Sequence, residues 1–192
     1  GAVAYRCVNA LGCAAQRIGE LEHFVSRAAF DIDGIGTKQL EMFVGRGWIE
    51  NPADIFTLIE KHGDEIKKID GFGEKSVANM RTAIDGARNI DLARFLTAIG
   101  IPDVGKTTAK LLANYFGNLD AVRMATMNEL IKIDGVGEIM AREIYSFFRD
   151  ARNTAVIDSI LKHITVNTVE KNTIKSEISG KKIVLTGTLA KY

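Results

Sequence analysis

Hydrophobic residues recur along the chain at helical spacing. Behind Asp91, a residue type that often begins helices, apolar side chains occupy positions i, i+3, i+4 and i+7, which are Leu92, Phe95, Leu96 and Ile99. Four further amphipathic runs read TKQLEMFVG, EKSVANMRTAI, KTTAKLLANYF and EIMAREIYSFF. Clean alternation of polar and apolar residues is rare, and there are only two prolines. The pattern predicts a mostly helical, all-α fold.

Each of the four amphipathic runs follows a glycine that belongs to a repeat. The repeated segments are IDGIG (32–36), IDGFG (69–73), IPDVG (101–105) and IDGVG (133–137), whose final glycines are 37, 32 and 32 residues apart. An isoleucine precedes each final glycine by four positions and an apolar residue precedes it by one. Such a fixed period predicts a recurring unit of helix, tight glycine turn and second helix. Glycine suits the turn because it tolerates positive φ and leaves the backbone open to a ligand.

The third copy also matches a nucleotide-binding pattern. Residues 100–107, GIPDVGKT, satisfy the phosphate-loop pattern G-x-x-x-x-G-K-[ST]. A phosphate loop requires a buried β-strand directly before it, whereas the preceding residues here have helical periodicity. The repeat therefore explains this segment better than nucleotide binding does.

The repeat resembles the helix-hairpin-helix motif, marked by an apolar-G-apolar-G turn between two helices. The resemblance implies that free N–H groups at the start of each second helix, with the positive end of its dipole, hold a DNA phosphate without reading bases. Lys110 would add charge, whereas Glu74 and Glu138 suit the helix dipole but would repel a phosphate. In the third copy Asp103 replaces the first glycine, after Pro102, which weakens the prediction of close approach there. The residues predicted to bind DNA are Gly34, Gly36, Lys38, Gly71, Gly73, Lys75, Gly105, Lys106, Gly135 and Gly137.

Overall charge limits how the chain would hold nucleic acid. With 25 basic and 24 acidic residues among 192, the net charge is only +1, so no broad basic face is predicted. Neutral main-chain amides would have to do much of the phosphate binding. No stretch approaches the roughly 18 uninterrupted apolar residues of a membrane span, and no secretory signal is visible. We therefore expect a cytoplasmic protein with no membrane partner.

Two further patterns suggest chemistry. The K-x-D-G signature of nucleotidyltransferases occurs twice, as KIDG at 68–71 and 132–135, but both copies coincide with the repeat, so we assign Lys68 and Lys132 to the surface. Cys7 and Cys13 are separated by five residues, which suits two ligands of a tetrahedral zinc site. From the residues alone, two free thiols and half of a zinc site remain equally open interpretations.

In its order of segments, the chain resembles the C-terminal half of a bacterial NAD-dependent DNA ligase. The resemblance is carried by RCVNALGCAAQ, the four spaced turns, a polar segment and the closing GKKIVLTGTL. It implies the end of a four-cysteine zinc finger (1–22), with Cys7 and Cys13 as two zinc ligands. It further implies a tandem helix-hairpin-helix domain of the SAM/RuvA-like type (23–166), a linker (167–179) and the first β-strand of a BRCT domain (180–192).

The resemblance also implies a function. The chain would be a monomeric fragment that grips nicked double-stranded DNA in replication and repair, with NAD and Mg²⁺ needed only by the full-length enzyme. Without the adenylation domain and its catalytic lysine, it would have no ligase activity alone, and without the first two cysteines its zinc binding is doubtful. Two alternatives are a helical adaptor, which would expose an apolar patch, and a base-excision glycosylase, which would use one such motif rather than four.

Overall fold

The computed structural model describes residues 14–169, and these residues are mainly helical. Cys7, Cys13 and the predicted strand at 180–192 lie outside this range. The helices are α1 (Ala14–Val25), α2 (Thr37–Gly45), α3 (Leu58–Ile66), α4 (Glu74–Gly86), α5 (Leu92–Ala98), α6 (Lys106–Phe116), α7 (Leu119–Met124), α8 (Met127–Ile131), α9 (Glu138–Phe147) and α10 (Ala151–Leu161). A 3-10 helix spans Pro52–Thr57, and the strands are β1 (Asn89–Asp91) and β2 (Thr165–Asn167). The predicted all-α class is confirmed for the described residues.

The four predicted second helices begin one residue after each final glycine. They are α2, α4, α6 and α9, and each packs on the helix before its turn, which is α1, α3, α5 and α8 respectively. Helix α5 begins directly after Asp91, as predicted, although the Asp91 side chain makes no capping hydrogen bond. Because α5 is a helix, residues 100–107 lack the preceding strand of a phosphate loop, which confirms the rejection of that pattern.

A cluster of phenylalanines joins the two halves of the described chain. The Phe30 ring lies 4.3 Å from Phe24, 5.4 Å from Phe56 and 6.3 Å from Phe95, measured between ring centroids. All four rings are buried, and they come from α1, the segment after it, the 3-10 helix and α5. Edge-on and tilted contacts of this kind add to the hydrophobic stabilisation of a core.

The strand pair was not predicted from the sequence. β1 and β2 run parallel, with Ile90 opposite Val166, so the end of the described chain returns to the segment between α4 and α5. Beyond β2, the Val169 N–H donates to the Gly117 carbonyl at 2.7 Å. Residues 167–169, assigned to a polar linker, are thus hydrogen-bonded into the helical body.

Helix α1 spans the predicted N-terminal division of the chain. The division between residues 22 and 23 falls inside α1, which is continuous from Ala14 and contacts both α2 and α5. Leu21 and Phe24, one on each side of that division, are both buried in the same core. Within residues 14–169, no helix is both long and apolar enough to cross a membrane.

Candidate nucleic-acid interface

The four glycine turns lie on the protein surface, anchored by apolar residues beneath them. We number them turn 1 (32–36), turn 2 (69–73), turn 3 (101–105) and turn 4 (133–137). Every glycine in them is exposed, whereas the isoleucine and the last apolar residue of turns 1, 3 and 4 are buried. Turn 2 is less deeply anchored, because Ile69 and Phe72 are only half-buried. The ring centroids of Phe72 and Phe43 are 6.3 Å apart.

A positive φ at the third position defines each turn. In turns 2, 3 and 4, the apolar residue donates its N–H to the isoleucine carbonyl three positions earlier, at 2.9, 3.1 and 2.9 Å. The third residue has φ of +87° at Gly34, +83° at Gly71 and +89° at Gly135. These values are typical of the third residue of a type II turn, where glycine is favoured because other residues are strained.

Asp103 takes this conformation without being glycine. Its φ is +60°, and Pro102 holds the preceding position, which type II turns favour for proline. Aspartate is among the few residue types that tolerate left-handed backbone. Aspartate in place of glycine at this position therefore leaves the backbone of turn 3 like that of turns 2 and 4, and it adds a negative charge.

The final glycines do not have the positive φ that we expected of the whole turn. Their φ values are −99°, −111°, −88° and −77° at Gly36, Gly73, Gly105 and Gly137, which is ordinary extended backbone. An added Cβ would meet no atom within 4 Å at Gly73, Gly105 or Gly137, and at Gly36 only the Gln39 side chain at 3.4 Å. Neither backbone conformation nor packing within the described chain explains glycine at these four positions.

The helices that follow these glycines start without a side-chain cap. Glycine has no side chain to accept a hydrogen bond. Within residues 14–169 no other side chain accepts one from the first three N–H groups of α2, α4, α6 or α9, although Gln39 Oε1 accepts from the Gly36 N–H, just ahead of α2, at 3.2 Å. By contrast, the residues directly before α7, α8 and α10 are Asn118, Thr126 and Asp150. Their side chains accept hydrogen bonds from N–H groups in the first turns of those helices. The first N–H groups of any helix lack partners inside the helix. In α2, α4, α6 and α9 these groups are therefore available to hydrogen-bond a ligand or solvent.

Charge differs between the four helix starts. The first turns of α2 and α6 contain no acid, whereas α4 and α9 begin with Glu74 and Glu138. Among the described residues, Lys38, Lys75 and Lys106 are exposed and have no ion-pair partner. The start of α6, with Lys106 directly after turn 3, is therefore favourable for binding an anion. The Asp103 carboxylate in the turn opposes this.

Acidic groups also lie near turns 1 and 4. The Thr37 hydroxyl at the start of α2 donates to the Glu22 carboxylate of α1. Glu138 accepts from Arg142 Nη2 at 3.1 Å, which neutralises much of its charge locally. Lys68 and Lys132 are exposed just beyond α3 and α8, in the surface positions that we assigned to them.

Comparison with known proteins agrees with this geometry. The family described as "Helix-hairpin-helix motif" matches residues 94–157, which include turns 3 and 4. A protein named DNA ligase from Rhodopseudomonas palustris (strain BisB5) is 41% identical over 100% of this chain. This chain is a relative of the DNA ligases. Other DNA ligases, from Roseobacter denitrificans and Beijerinckia indica, are 42% and 40% identical over 97% of the chain.

The relationship to DNA ligases covers the whole chain but only part of those proteins. The chain spans 29% of the Rhodopseudomonas DNA ligase and 28% of the other two. The adaptor and glycosylase alternatives are less well supported, because the relatives are DNA ligases and the described residues contain four exposed turns rather than one.

One exposed residue beside the turns was overlooked in the sequence. Ile139, the second residue of α9, stands where α2 has Lys38, α4 has Lys75 and α6 has Thr107, and it is 75% exposed. Aligning the four helix starts residue by residue would have found it.

Proposed function

We propose that this chain binds duplex DNA as the DNA-gripping part of a DNA ligase, contacting the sugar-phosphate backbone without sequence preference. One observation carries the proposal: four exposed glycine turns each lead into a helix whose first three N–H groups have no side-chain partner among the described residues. A phosphate oxygen is the ligand that such groups favour, because the helix dipole adds to their hydrogen bonds.

The bare final glycines support this proposal. At three of the four positions a side chain would fill only open space within the protein, so the need for glycine must come from outside the chain. A phosphate seated on the N–H groups of the following helix would approach this same space. Glycine at the helix start thus leaves both the donors and the path to them open.

The energetics fit a nearly neutral protein. A hydrogen bond to a charged acceptor contributes about 1.5–3 kcal/mol, so several amides acting together match the contribution of a few lysines. Because one polypeptide carries all four turns, binding at one turn raises the local concentration of DNA at the others. A net charge of +1 is therefore compatible with DNA binding.

We further propose that the longer protein seals nicks in duplex DNA with NAD and Mg²⁺, and that zinc binds near the start of this chain. Cys7 and Cys13 have the chemistry of zinc ligands but supply only half of a tetrahedral set. Residues 14–169 contain no group of three or more histidine, cysteine or acidic residues that could hold a metal ion.

Glycine substitutions test the proposed DNA binding. Gly73→Val and Gly137→Val should each weaken binding of a nicked duplex at least tenfold by fluorescence anisotropy, while circular dichroism shows unchanged helicity, because both positions have extended backbone and open space. Gly86→Val is the matched control, since Gly86 is also exposed with open space but lies at the end of α4. Equal affinities for the wild type and all three variants would refute the role of the turns.

Salt dependence tests the chemical nature of the contacts. Amides release fewer counterions than lysines, so log K should fall with log salt less steeply than roughly 0.9 per phosphate contacted. A steeper fall would mean that basic side chains dominate the binding. Comparing nicked duplex, intact duplex and single strands in the same titration tests the preference for nicked duplex.

A further inference from the structure

Turn 4 presents an apolar side chain where the other turns present polar ones. Ile139 occupies the second position of α9 and is 75% exposed, whereas the equivalent residues are Lys38, Lys75 and Thr107. Ile131, the last residue of α8, is 45% exposed on the other side of the same turn. A single exposed isoleucine is common on protein surfaces, but two flanking one candidate phosphate site are unusual in this chain.

The neighbours of Ile139 make turn 4 electrostatically weak. Glu138 precedes it and is paired with Arg142 at 3.1 Å, and α9 has no lysine in its first turn. A phosphate at the start of α9 would therefore be held mainly by main-chain N–H groups, because the exposed Lys132 lies before the turn and not on the helix that follows it. Turn 3 has Lys106 at the start of its second helix. For turn 4 to contribute as much to DNA affinity, it needs a contact that is not electrostatic.

We propose that Ile139 packs against the apolar edge of a deoxyribose in the minor groove of DNA bound at turn 4. This inference rests on the proposed function, because it requires a duplex at the turns. Because neighbouring phosphates of DNA are joined through a sugar, a phosphate on the first N–H groups of α9 would have a sugar on each side of it, next to the second helical residue. Proteins that bind the minor groove often bring apolar side chains, isoleucine among them, to the DNA. Packing such a side chain against the carbon atoms of a sugar removes apolar surface from water.

The salt dependence of binding separates this role from an electrostatic one. Ile139→Ser in the full chain should weaken binding of a nicked duplex about tenfold, since the lost contact is apolar, with the slope of log K against log salt unchanged. Lys106→Gln should instead reduce the slope. The loss at Ile139→Ser should be equal for A·T-rich and G·C-rich duplexes, because the sugar is the same in both.

Matched variants complete the test. Met124→Ser removes an apolar side chain of similar exposure, 78% against 75%, from the end of α7, a helix that borders none of the four turns, and should leave affinity unchanged within twofold. Ile139→Val should bind like the wild type, and Ile139→Gln, which favours helix more than serine does, should bind like Ile139→Ser.

The result that overturns the inference is a wild-type chain that binds duplex and an Ile139→Ser variant that binds equally well. A loss confined to one base composition would also overturn it, because the side chain would then contact a base edge. If the wild-type chain itself binds no duplex, the proposed function fails instead, so the two failures are distinguishable.

Discussion

At the scale of single residues, the two glycines of each turn have different physical roles. Gly135 has φ of +89° and a Cβ there would lie 3.2 Å from Leu111 Cδ1, so the fold itself requires glycine. Gly137 has extended backbone and open space, so the fold does not require it. The sequence pattern gave both the same meaning, because periodicity cannot distinguish a glycine needed for backbone conformation from one needed for access.

Asp103 offers a test of charge at a fixed backbone. Asparagine also tolerates left-handed φ, so Asp103→Asn should leave the free energy of unfolding within about 0.5 kcal/mol of the wild type. Removing one negative charge beside the phosphate proposed for turn 3 should raise duplex affinity about threefold at low salt. Anisotropy titrations and urea unfolding measure the two quantities. Unchanged or weaker binding at low salt would mean that no phosphate approaches turn 3.

At the scale of secondary-structure elements, predictability depended on local signals. The second helices could be predicted because a glycine marks each start and an amphipathic run follows. Helix α8 has only five residues, but its start carries a capping box, in which Thr126 and Glu129 exchange hydrogen bonds. The strands β1 and β2 could not be predicted, since each has three residues and its partner lies over 70 residues away.

The cap of α10 makes stability depend on pH. The Asp150 carboxylate accepts from Arg152 Nη2 and from the N–H groups of Arg152 and Asn153, and these hydrogen bonds hold its pKa below the usual 3.8. The ionised form therefore stabilises the fold above pH 3.8, and this contribution is lost as pH falls through the lowered pKa. In Asp150→Asn, which still caps the helix, the melting temperature should fall less between pH 5 and pH 2.

Glu20 provides a control of opposite sign. The residue is exposed overall, but partial desolvation raises the pKa of its carboxyl, partly offset by Arg17, so its ionisation opposes folding and protonation relieves the cost. Glu20→Gln should therefore raise the melting temperature at pH 7 and steepen the fall on acidification. If both variants showed the same acid profile as the wild type, neither carboxyl would contribute to the pH dependence.

At the scale of the whole molecule, one arginine ties distant parts of the chain together. Arg88 Nη2 donates to the Phe56 carbonyl at 2.9 Å and Nη1 donates to the His163 carbonyl at 3.2 Å. The Arg88 carbonyl accepts from the Thr165 N–H at 2.7 Å, beside the β1–β2 pairing. These bonds link the 3-10 helix, the β1 segment and the end of α10. They hold the 3-10 helix that follows turn 1, and the segment that follows the second helix of turn 2, against the closing segment of the described chain.

Removing the Arg88 hydrogen bonds should lower the stability of the fold. Arg88→Met keeps much of the side-chain volume but leaves the Phe56 and His163 carbonyls without these donors, so the free energy of unfolding should fall by about 2–3 kcal/mol in urea titrations. Arg142→Met is the control, because the Arg142 side chain is 65% exposed and, among residues 14–169, is bonded only to Glu138 four residues earlier, and it should cost less than about 0.5 kcal/mol. Equal costs would mean that water or other groups replace Arg88 at those carbonyls. Arg88→Met changes no residue of the four turns. If this variant nevertheless binds duplex more weakly than the wild type, then the relative placement of the turns contributes to affinity in addition to the turns themselves.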